Sequence, residues 1–183
     1  MAAKDSMLDE IVLMGDPVLK GETEPIETID DEVKELANHM LDVMYAAEGC
    51  GLAAPQIGKS VSMVVIDCDW GDGTAKNPYV LINPQIIEAD GEPMMGSEGC
   101  LSFPGISVDV ERPSHVVVHA QNLDGDTMRY EAEGSLMARC LQHEIDHLHG
   151  VTMLDHLGPM ARMKAKGQVE AAIKEGVRPG ETD

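Results

Sequence analysis

The chain has 183 residues, of which 43% are hydrophobic, and this suits one domain over residues 1–183 with a full core. It begins without the apolar segment of a signal peptide, and no run approaches the roughly 18 apolar residues of a membrane span, so we expect a cytoplasmic protein without a membrane partner. The formal net charge of −20 argues against general binding of DNA or other nucleic acids across the surface.

The first predicted elements are an extended lead-in over residues 8–20 and an amphipathic helix. Helix-starting residues at 28–31 precede an apolar series at helical spacing that runs from Val33 to Met44. We interpret this helix as packing on the core, with no chemistry of its own.

The segment Gly-Cys-Gly-Leu-Ala-Ala-Pro-Gln at 49–56 carries unusually little side chain. Such composition is expected where the backbone approaches a ligand or another chain closely, and a simple turn after the helix is the alternative. Gln56 ends the segment with an amide that can both donate and accept hydrogen bonds.

Short apolar segments in the middle of the chain are typical of strands, and Asp124-Gly125 is a hairpin signal between two of them. After residue 158 we expect one more helix and then a frayed tail. The predicted strands are 62–67, 79–83, 106–110, 115–122 and 127–131, and the last helix and the tail span 160–175 and 176–183.

Residues 142–150, Gln-His-Glu-Ile-Asp-His-Leu-His-Gly, organise the rest of the chain. His143 and His147 are four apart, so on a helix their side chains lie on one face. With Glu144 the run reads H-E-x-x-H, typical of two imidazole ligands for a metal ion and a carboxylate that handles protons at the bound water. The order of elements predicts an α+β fold: mostly antiparallel strands packed around a central metal-binding helix, with an N-terminal and a C-terminal helix.

A catalytic metal needs a third protein ligand and one open position. The extended metallopeptidase pattern would require histidine at position 153, where Met153 stands, and His156 comes three residues late. Two alternatives remain open from the residues alone: Glu170 from a following helix, or Cys100 in Glu-Gly-Cys-Leu-Ser at 98–102. Scattered cysteines in a reducing compartment are more often buried residues, ligands or nucleophiles than disulfide partners, so we expect Cys68 to be a core or near-surface residue.

Three motifs follow one another along the chain: G-C-G-L-A-A-P-Q at 49–56, E-G-C-L-S at 98–102 and Q-H-E-I-D-H at 142–147. As a set they resemble the motifs of peptide deformylases, the hydrolases that remove the formyl group from the N-terminal formylmethionine of new polypeptides. The resemblance spans about residues 9–170. It implies metal-dependent hydrolysis of N-formylmethionyl peptides, with release of formate, during protein biosynthesis.

The resemblance also implies a ligand set for the metal. Cys100, His143 and His147 match the family's metal ligands, and the ion in the family is usually Fe²⁺ in the cell and commonly Ni²⁺, Co²⁺ or Zn²⁺ in preparations. A thiolate with two imidazoles accepts several first-row ions, so the sequence does not choose among them.

Catalytic and substrate roles carry over in the same way. Glu144 resembles the family's general base and acid, and Gln56 and the backbone N–H of Leu101 match the donors to the oxyanion of the tetrahedral intermediate. The backbone around Gly51 would pair with the substrate peptide as an added strand would. The predicted substrate-binding residues are Gly51, Cys50, Gly99, Leu136 and Cys140.

Several of these positions have a structural alternative. Leu136 and Cys140 lie on the face of the first histidine and could line an apolar pocket for the methionine side chain, or both could be core. Arg112 resembles a basic position that the family has near the substrate or the metal-site network, with a surface role as the alternative. Cys50 stands where the family commonly has Val or Ile, and His149 is expected to face solvent.

Two other functions are compatible with parts of the pattern. A zinc endopeptidase would use Glu170 as the third ligand, and a metal- or redox-sensing module would use Cys100 and the histidines without turnover. The basic residues of the last helix loosely resemble the segment by which some deformylases touch the ribosome, and an ordinary solvated helix is the alternative.

Overall fold

The computed structural model describes residues 2–71 and 74–181. Within these residues the chain forms four α-helices, five β-strands and three short 3-10 helices. The α-helices are α1 (Ala2–Leu8), α2 (Asp31–Ala46), α3 (Leu136–Leu148) and α4 (Pro159–Glu175), and the strands are β1 (Gly51–Ala53), β2 (Met63–Ile66), β3 (Tyr79–Cys100), β4 (Phe103–Gln121) and β5 (Thr127–Glu133). In this described part of the chain, no helix has both the length and the apolar character that crossing a membrane requires.

The five strands form one antiparallel sheet in the order β1-β2-β3-β4-β5. Each strand therefore pairs with the next along the chain, and β1 and β5 are the edges. The predicted hairpin at Asp124-Gly125 is confirmed. The Asn122 carboxamide accepts hydrogen bonds from the N–H groups of Asp124 and Asp126, 3.0 and 2.9 Å away, which fixes the turn between β4 and β5.

Strands β3 and β4 are much longer than the sequence predicted. Residues 84–100 carry prolines, glycines and exposed polar side chains, so no period-two pattern marks them. Pro84 and Pro93 lie at breaks in the register between β3 and β4, where the ladder is already interrupted. A proline that lacks an N–H is tolerated at such bulges, and the long hairpin can therefore bend and continue.

Helix α3 packs against the face of the sheet and carries the H-E-x-x-H pattern into the interior. Ser135 is its N-cap, as the side-chain oxygen accepts a hydrogen bond from the N–H of Ala138 at 3.3 Å. Leu141 and Leu148 are buried in one apolar cluster with side chains of β2, β3 and β4. This confirms the predicted α+β fold around a central helix.

The other helices cover the remaining apolar surfaces. Helix α2, capped by Asp30, buries Met40 and Met44 in a second cluster with α1 and β1. Helix α4 packs against β4 through Val169 and Phe103 in a third cluster. The predicted N-terminal and C-terminal helices correspond to α2 and α4, whereas α1 was not predicted.

The structure differs from the predicted frayed tail over residues 177–181. The carbonyl of Glu181 accepts a hydrogen bond from the N–H of Gly105 at 2.9 Å. Arg178 donates to the carboxylates of Asp5 and Asp9 at 2.5 and 2.8 Å. These contacts fold the tail back onto the body of the molecule, and residues 182 and 183 lie outside the described part of the chain.

Candidate active site and metal centre

The fold brings together the three side chains that the motifs singled out as metal ligands. Helix α3 presents His143 and His147 from successive turns, and Cys100 comes from the last residue of β3. The ligand atoms of these three residues all lie within 4.8 Å of one another. Cys100 Sγ is 3.3 Å from His147 Nε2, and both imidazoles are buried.

A buried carboxylate orients the first imidazole. Glu98 Oε2 lies 2.9 Å from His143 Nδ1, and therefore leaves Nε2 as the nitrogen that faces the cluster. Arg112 binds both oxygens of Glu98, from Nε at 2.5 Å and Nη2 at 2.9 Å, and Arg139 donates to Oε1 at 2.8 Å. Burial alone would raise the pKa of Glu98, but His143 and Arg112 outweigh it and hold that pKa well below its usual range.

Glu98 and Arg139 were not predicted as parts of the site. The available signal was Glu98 itself, which opens the E-G-C-L-S motif two residues before the thiol. Arg112 is buried, so its surface alternative is wrong. It also donates to Asp146 at 2.9 Å, and this carboxylate in turn lies 2.7 Å from His156 Nε2.

Glu144 follows His143 on α3 and is buried. Among the described residues, its Oε2 and the Nδ1 of His147 are the buried side-chain N and O atoms without a hydrogen-bond partner. Burial raises the pKa of Glu144 to about 7. The neighbouring strand β1 approaches so closely that a Cβ on Gly51 would lie 2.5 Å from Glu144 Oε1 and 2.8 Å from Cys140 Sγ.

Two donors stand beside Cys100. Gln56 is held by the N–H of Ala53, which donates to Oε1 at 2.9 Å, and its Nε2 lies 3.5 Å from Cys100 Sγ. The same Nε2 donates to Ser102 Oγ at 3.3 Å. Leu101 is the first residue of the two-residue turn between β3 and β4. The N–H of the first residue in such a turn takes no part in the hydrogen bonds between the two strands.

One cavity of about 230 Å³ is lined by five of these residues: Gln56, Cys100, Leu101, His143 and Glu144. Three of the five predicted substrate-binding residues, Cys50, Gly51 and Gly99, form part of its wall. Cys140 lies behind that wall, with Sγ 3.6 Å from the carbonyl oxygen of Cys50, and Leu136 is on the surface with 55% of its area exposed. The complete lining is Glu48, Gly49, Cys50, Gly51, Gln56, Gly99, Cys100, Leu101, His143, Glu144, Gly180 and Glu181.

The third ligand of the endopeptidase interpretation lies elsewhere. Glu170 lines a different cavity, between α4 and the residues around Pro17, and it is not grouped with the two histidines of α3. His149 is half-exposed and binds the Glu22 carboxylate, in agreement with the expected solvent-facing position. The geometry therefore favours Cys100 over Glu170 as the third group.

Comparison with known proteins identifies the family. The family described as polypeptide deformylase matches residues 8–163. The peptide deformylase of Dictyoglomus thermophilum is 49% identical over 149 residues, which are 81% of this chain and 92% of the relative, and that of Brucella suis biovar 1 is 43% identical over 152 residues, 83% and 86% of the two chains.

Solved structures agree with this match. The crystal structure of a peptide deformylase from Legionella pneumophila superposes with a TM-score of 0.84 at 40% identity and covers 91% of this chain and 95% of that one. The Synechococcus elongatus peptide deformylase, solved in complex with actinonin, gives a TM-score of 0.80 at 41% identity, over 91% and 87% of the two chains. The chain therefore belongs to the peptide deformylase family of hydrolases.

Proposed function

We propose that this chain hydrolyses the formamide bond of N-terminal formylmethionine on newly made polypeptides, releasing formate and a free amine. One observation carries the proposal. The buried carboxylate of Glu144 lines an open cavity together with Cys100 and His143, and these two residues group with His147 as potential metal ligands. A general base next to a three-ligand metal site is the arrangement that metal-assisted hydrolysis of an amide requires.

The three proposed ligands fit a single divalent ion. The buried Glu144 Oε2 and His147 Nδ1 have no partner among the described residues, and burial lowers the pKa of His147, which favours the neutral imidazole that binds metals. Burial alone would also lower the pKa of His143, but hydrogen bonds to Cys100 and Glu98 outweigh it and raise that pKa, so an ion that binds there would displace a proton from this imidazole. When bound, the ion would supply Lewis-acid activation of a water nucleophile near neutral pH.

The identity of the ion is a finer inference from the donor chemistry. One thiolate and two imidazoles form a borderline-soft set that binds several first-row ions. We infer Fe²⁺ in the cell, with Ni²⁺, Co²⁺ or Zn²⁺ in preparations.

Glu144 acts as the proton carrier in this proposal. Its Oε2 takes a proton from the attacking water and later delivers one to the nitrogen of the leaving amine. A carboxylic acid with a pKa of about 7 can do both near neutral pH, because neither form is strongly disfavoured.

Gln56 and Leu101 stabilise the tetrahedral intermediate. Gln56 Nε2 lies 3.5 Å from Cys100 Sγ, the N–H of Leu101 belongs to the residue that follows Cys100, and both are donors without a charge. Donors fixed in advance by other contacts stabilise a developing oxyanion without further reorganisation. The N–H of Ala53 fixes the Gln56 amide at its oxygen, so that the nitrogen faces the site.

The substrate peptide pairs with the outer edge of β1. This strand is the first in the sheet, so one of its two edges has no neighbouring strand in the described structure. Gly51 presents backbone to the cavity without a side chain. An extended peptide can add to such an edge through main-chain hydrogen bonds, and this is compatible with substrates of many sequences.

The remaining assignments stay predictions. Cys50, Gly99, Leu136 and Cys140 are proposed to contact the substrate or line the methionine pocket, and the exposed position of Leu136 is the least compatible with that role. We expect the enzyme to act in the cytoplasm as one domain, and a transient ribosome contact through the basic face of α4 remains a further prediction.

Formate release from formyl-Met-Ala-Ser tests the proposal. We expect turnover by the wild type and a loss of at least about 10²-fold in kcat for Glu144→Ala, with metal content retained. Equal turnover by the two proteins would contradict the assigned role.

A second pair of variants separates the deformylase from the endopeptidase alternative. Cys100→Ala should remove metal binding, and Glu170→Ala should leave it intact. The opposite result would support a zinc endopeptidase built on Glu170.

A further inference from the structure

A second cluster of potential metal ligands lies beside the active site. Cys50, Cys68 and Cys140 have sulfur atoms that all lie within 4.8 Å of one another, and none of the three is in a disulfide. They come from three elements that are far apart in sequence: the residue before β1, the loop after β2, and helix α3. Nothing in the deformylase mechanism uses the thiol of Cys68.

The pairing of β1 with β2 creates this arrangement. Gly51 pairs with Ile66 in this antiparallel pair of strands. The residue just before β1, Cys50, and the loop just after β2, which carries Cys68, therefore lie at the same end of the two strands. The N–H of Asp67 donates to the carbonyl oxygen of Cys50 at 2.9 Å and fixes the register there. Cys140 faces them from α3, one helical turn before Glu144.

The loop that carries Cys68 is held in place by the neighbouring Asp67. This carboxylate is buried and accepts hydrogen bonds from the Tyr45 hydroxyl at 2.6 Å and from the N–H of Asn77 at 2.8 Å. It also accepts from the N–H of Trp70 at 3.2 Å. A cluster whose supporting residues are fixed in this way loses little entropy when it binds a ligand.

The sulfur spacing matches a metal ion better than a disulfide. Cys50 Sγ and Cys140 Sγ are 3.9 Å apart. Three thiolates around one ion with metal–sulfur bonds of about 2.3 Å would lie about 4 Å from one another. A disulfide needs a sulfur–sulfur distance of about 2.0 Å, so it would require the two sulfurs to move closer by almost half of their separation.

The surroundings also allow an ion to reach the cluster. Cys140 is only 4% exposed, but Cys50 and Cys68 are half-buried, and Cys50 lines the open cavity of the active site. The net charge of −20 raises the local concentration of cations around the molecule. Thiolate donors select soft ions, since hard ions prefer oxygen ligands.

We propose that Cys50, Cys68 and Cys140 form a second metal site, distinct from Cys100, His143 and His147, that binds one soft thiophilic cation such as Cd²⁺ or Cu⁺. Binding replaces the thiol protons with the ion and links β1, β2 and α3. The two clusters share no ligand, so both can be filled in the same molecule.

Cadmium is the probe for the test. The enzyme is first loaded with one equivalent of Ni²⁺, kept under a non-thiol reductant without oxygen, and then titrated with Cd²⁺ and desalted. We expect one Cd²⁺ per chain in addition to the retained Ni²⁺, with ultraviolet thiolate-to-cadmium absorption from three sulfurs, and a melting temperature that rises with Cd²⁺.

Cys68→Ser is the decisive variant, because this residue has no place in the proposed catalytic machinery. It should weaken Cd²⁺ binding at the second site at least 10-fold and leave formate release by the Ni²⁺ enzyme unchanged. Asp90→Asn is the matched control. It alters the exposed group Glu88, Asp90 and His115, the third set of potential ligands among the described residues, and should leave Cd²⁺ binding unchanged.

Three results would overturn the proposal. They are the absence of bound Cd²⁺ beyond the first site, equal affinity in Cys68→Ser, or loss of Cd²⁺ binding in Asp90→Asn. If Cys68→Ser does not fold, as judged by its melting curve, Cd²⁺ content is measured on Cys50→Ser instead, and retention of the ion there counts against the site. Formate release by the Ni²⁺-loaded protein is measured alongside. If it is retained, the proposed enzymatic function stands even when the second metal site is refuted.

Discussion

Gly51→Ala tests the close contact between β1 and the proposed general base. The new Cβ would lie 2.5 Å from Glu144 Oε1 and 2.8 Å from Cys140 Sγ, whereas ordinary contacts begin at 3.4 Å. The carboxylate or the strand must therefore shift by about 0.9 Å, the difference between 3.4 and 2.5 Å. Forcing extra volume into a well-packed site costs about 1–3 kcal/mol.

Both activity and stability should report this shift. A displacement of about 1 Å at a reacting group can cost about 10² in rate, so we expect kcat/KM for formate release to fall by roughly that factor. For a chain of this size 1 kcal/mol corresponds to about 2–4 °C, so Tm should fall by about 2–12 °C.

Gly167→Ala is the matched control for the same chemical change. Gly167 lies inside α4, and a Cβ there would meet no atom within 4 Å. Alanine favours a helix interior over glycine by up to about 1 kcal/mol, so this variant should be slightly more stable and fully active. Unchanged kcat/KM and Tm in Gly51→Ala would refute the claim that Glu144 is positioned by contact with β1.

Two further predictions concern charged groups that the fold buries or half-buries. Glu98→Gln removes the charge that orients His143 and pairs with Arg112. We therefore expect 10- to 100-fold weaker metal binding, measured by chelator competition, and a free energy of unfolding in urea that is lower by about 3–5 kcal/mol. Metal affinity equal to that of the wild type would contradict the orienting role. Burial would raise the pKa of Asp155, but hydrogen bonds from Lys20 and Thr152 outweigh it and lower that pKa to about 2. Because the pKa of Asp155 is lower in the folded than in the unfolded state, this carboxylate stabilises the fold above about pH 4, and the stabilisation is lost as the pH falls towards 2. Asp155→Asn should therefore flatten this part of the acid-unfolding curve. A curve parallel to that of the wild type would count against the pairing.

The sequence was sufficient to predict the α+β fold class and the position of both imidazoles on one helix. Helical spacing places His143 and His147 on one face of α3, and the apolar residues of the same helix indicate that it is buried. Such local patterns depend on residues within one element, which is why α2, α3, α4 and the hairpin at Asp124-Gly125 were all predicted correctly.

Contacts between distant elements were not predictable in the same way. Arg139 reaches Glu98 across 41 positions, and the choice of partner depends on the register between β3 and β4 and on the rotation of α3. The grouping of Cys68 with Cys50 and Cys140 likewise depends on the pairing of β1 with β2. A one-residue slip in that pairing would turn the side chains to the other face of the sheet.

The long hairpin and the docked tail were missed for a different reason. Residues 84–100 contain prolines that normally argue against a strand, and the bulges that accommodate them leave no regular pattern. The tail is held by specific contacts, such as those of Arg178 with Asp5 and Asp9, and no local periodicity in the sequence predicts such contacts.

X-ray absorption spectroscopy of the metal-loaded protein determines whether the Cys100 thiolate and the two imidazoles of α3 bind the same ion. The protein is loaded with one equivalent of Zn²⁺ in the Cys68→Ser background, which keeps the second sulfur cluster from contributing. We expect one sulfur at about 2.3 Å and two nitrogens at about 2.0–2.1 Å from the ion, with the sulfur lost in Cys100→Ala. A first shell of nitrogen and oxygen alone, or one that Cys100→Ala leaves unchanged, would contradict this ligand set.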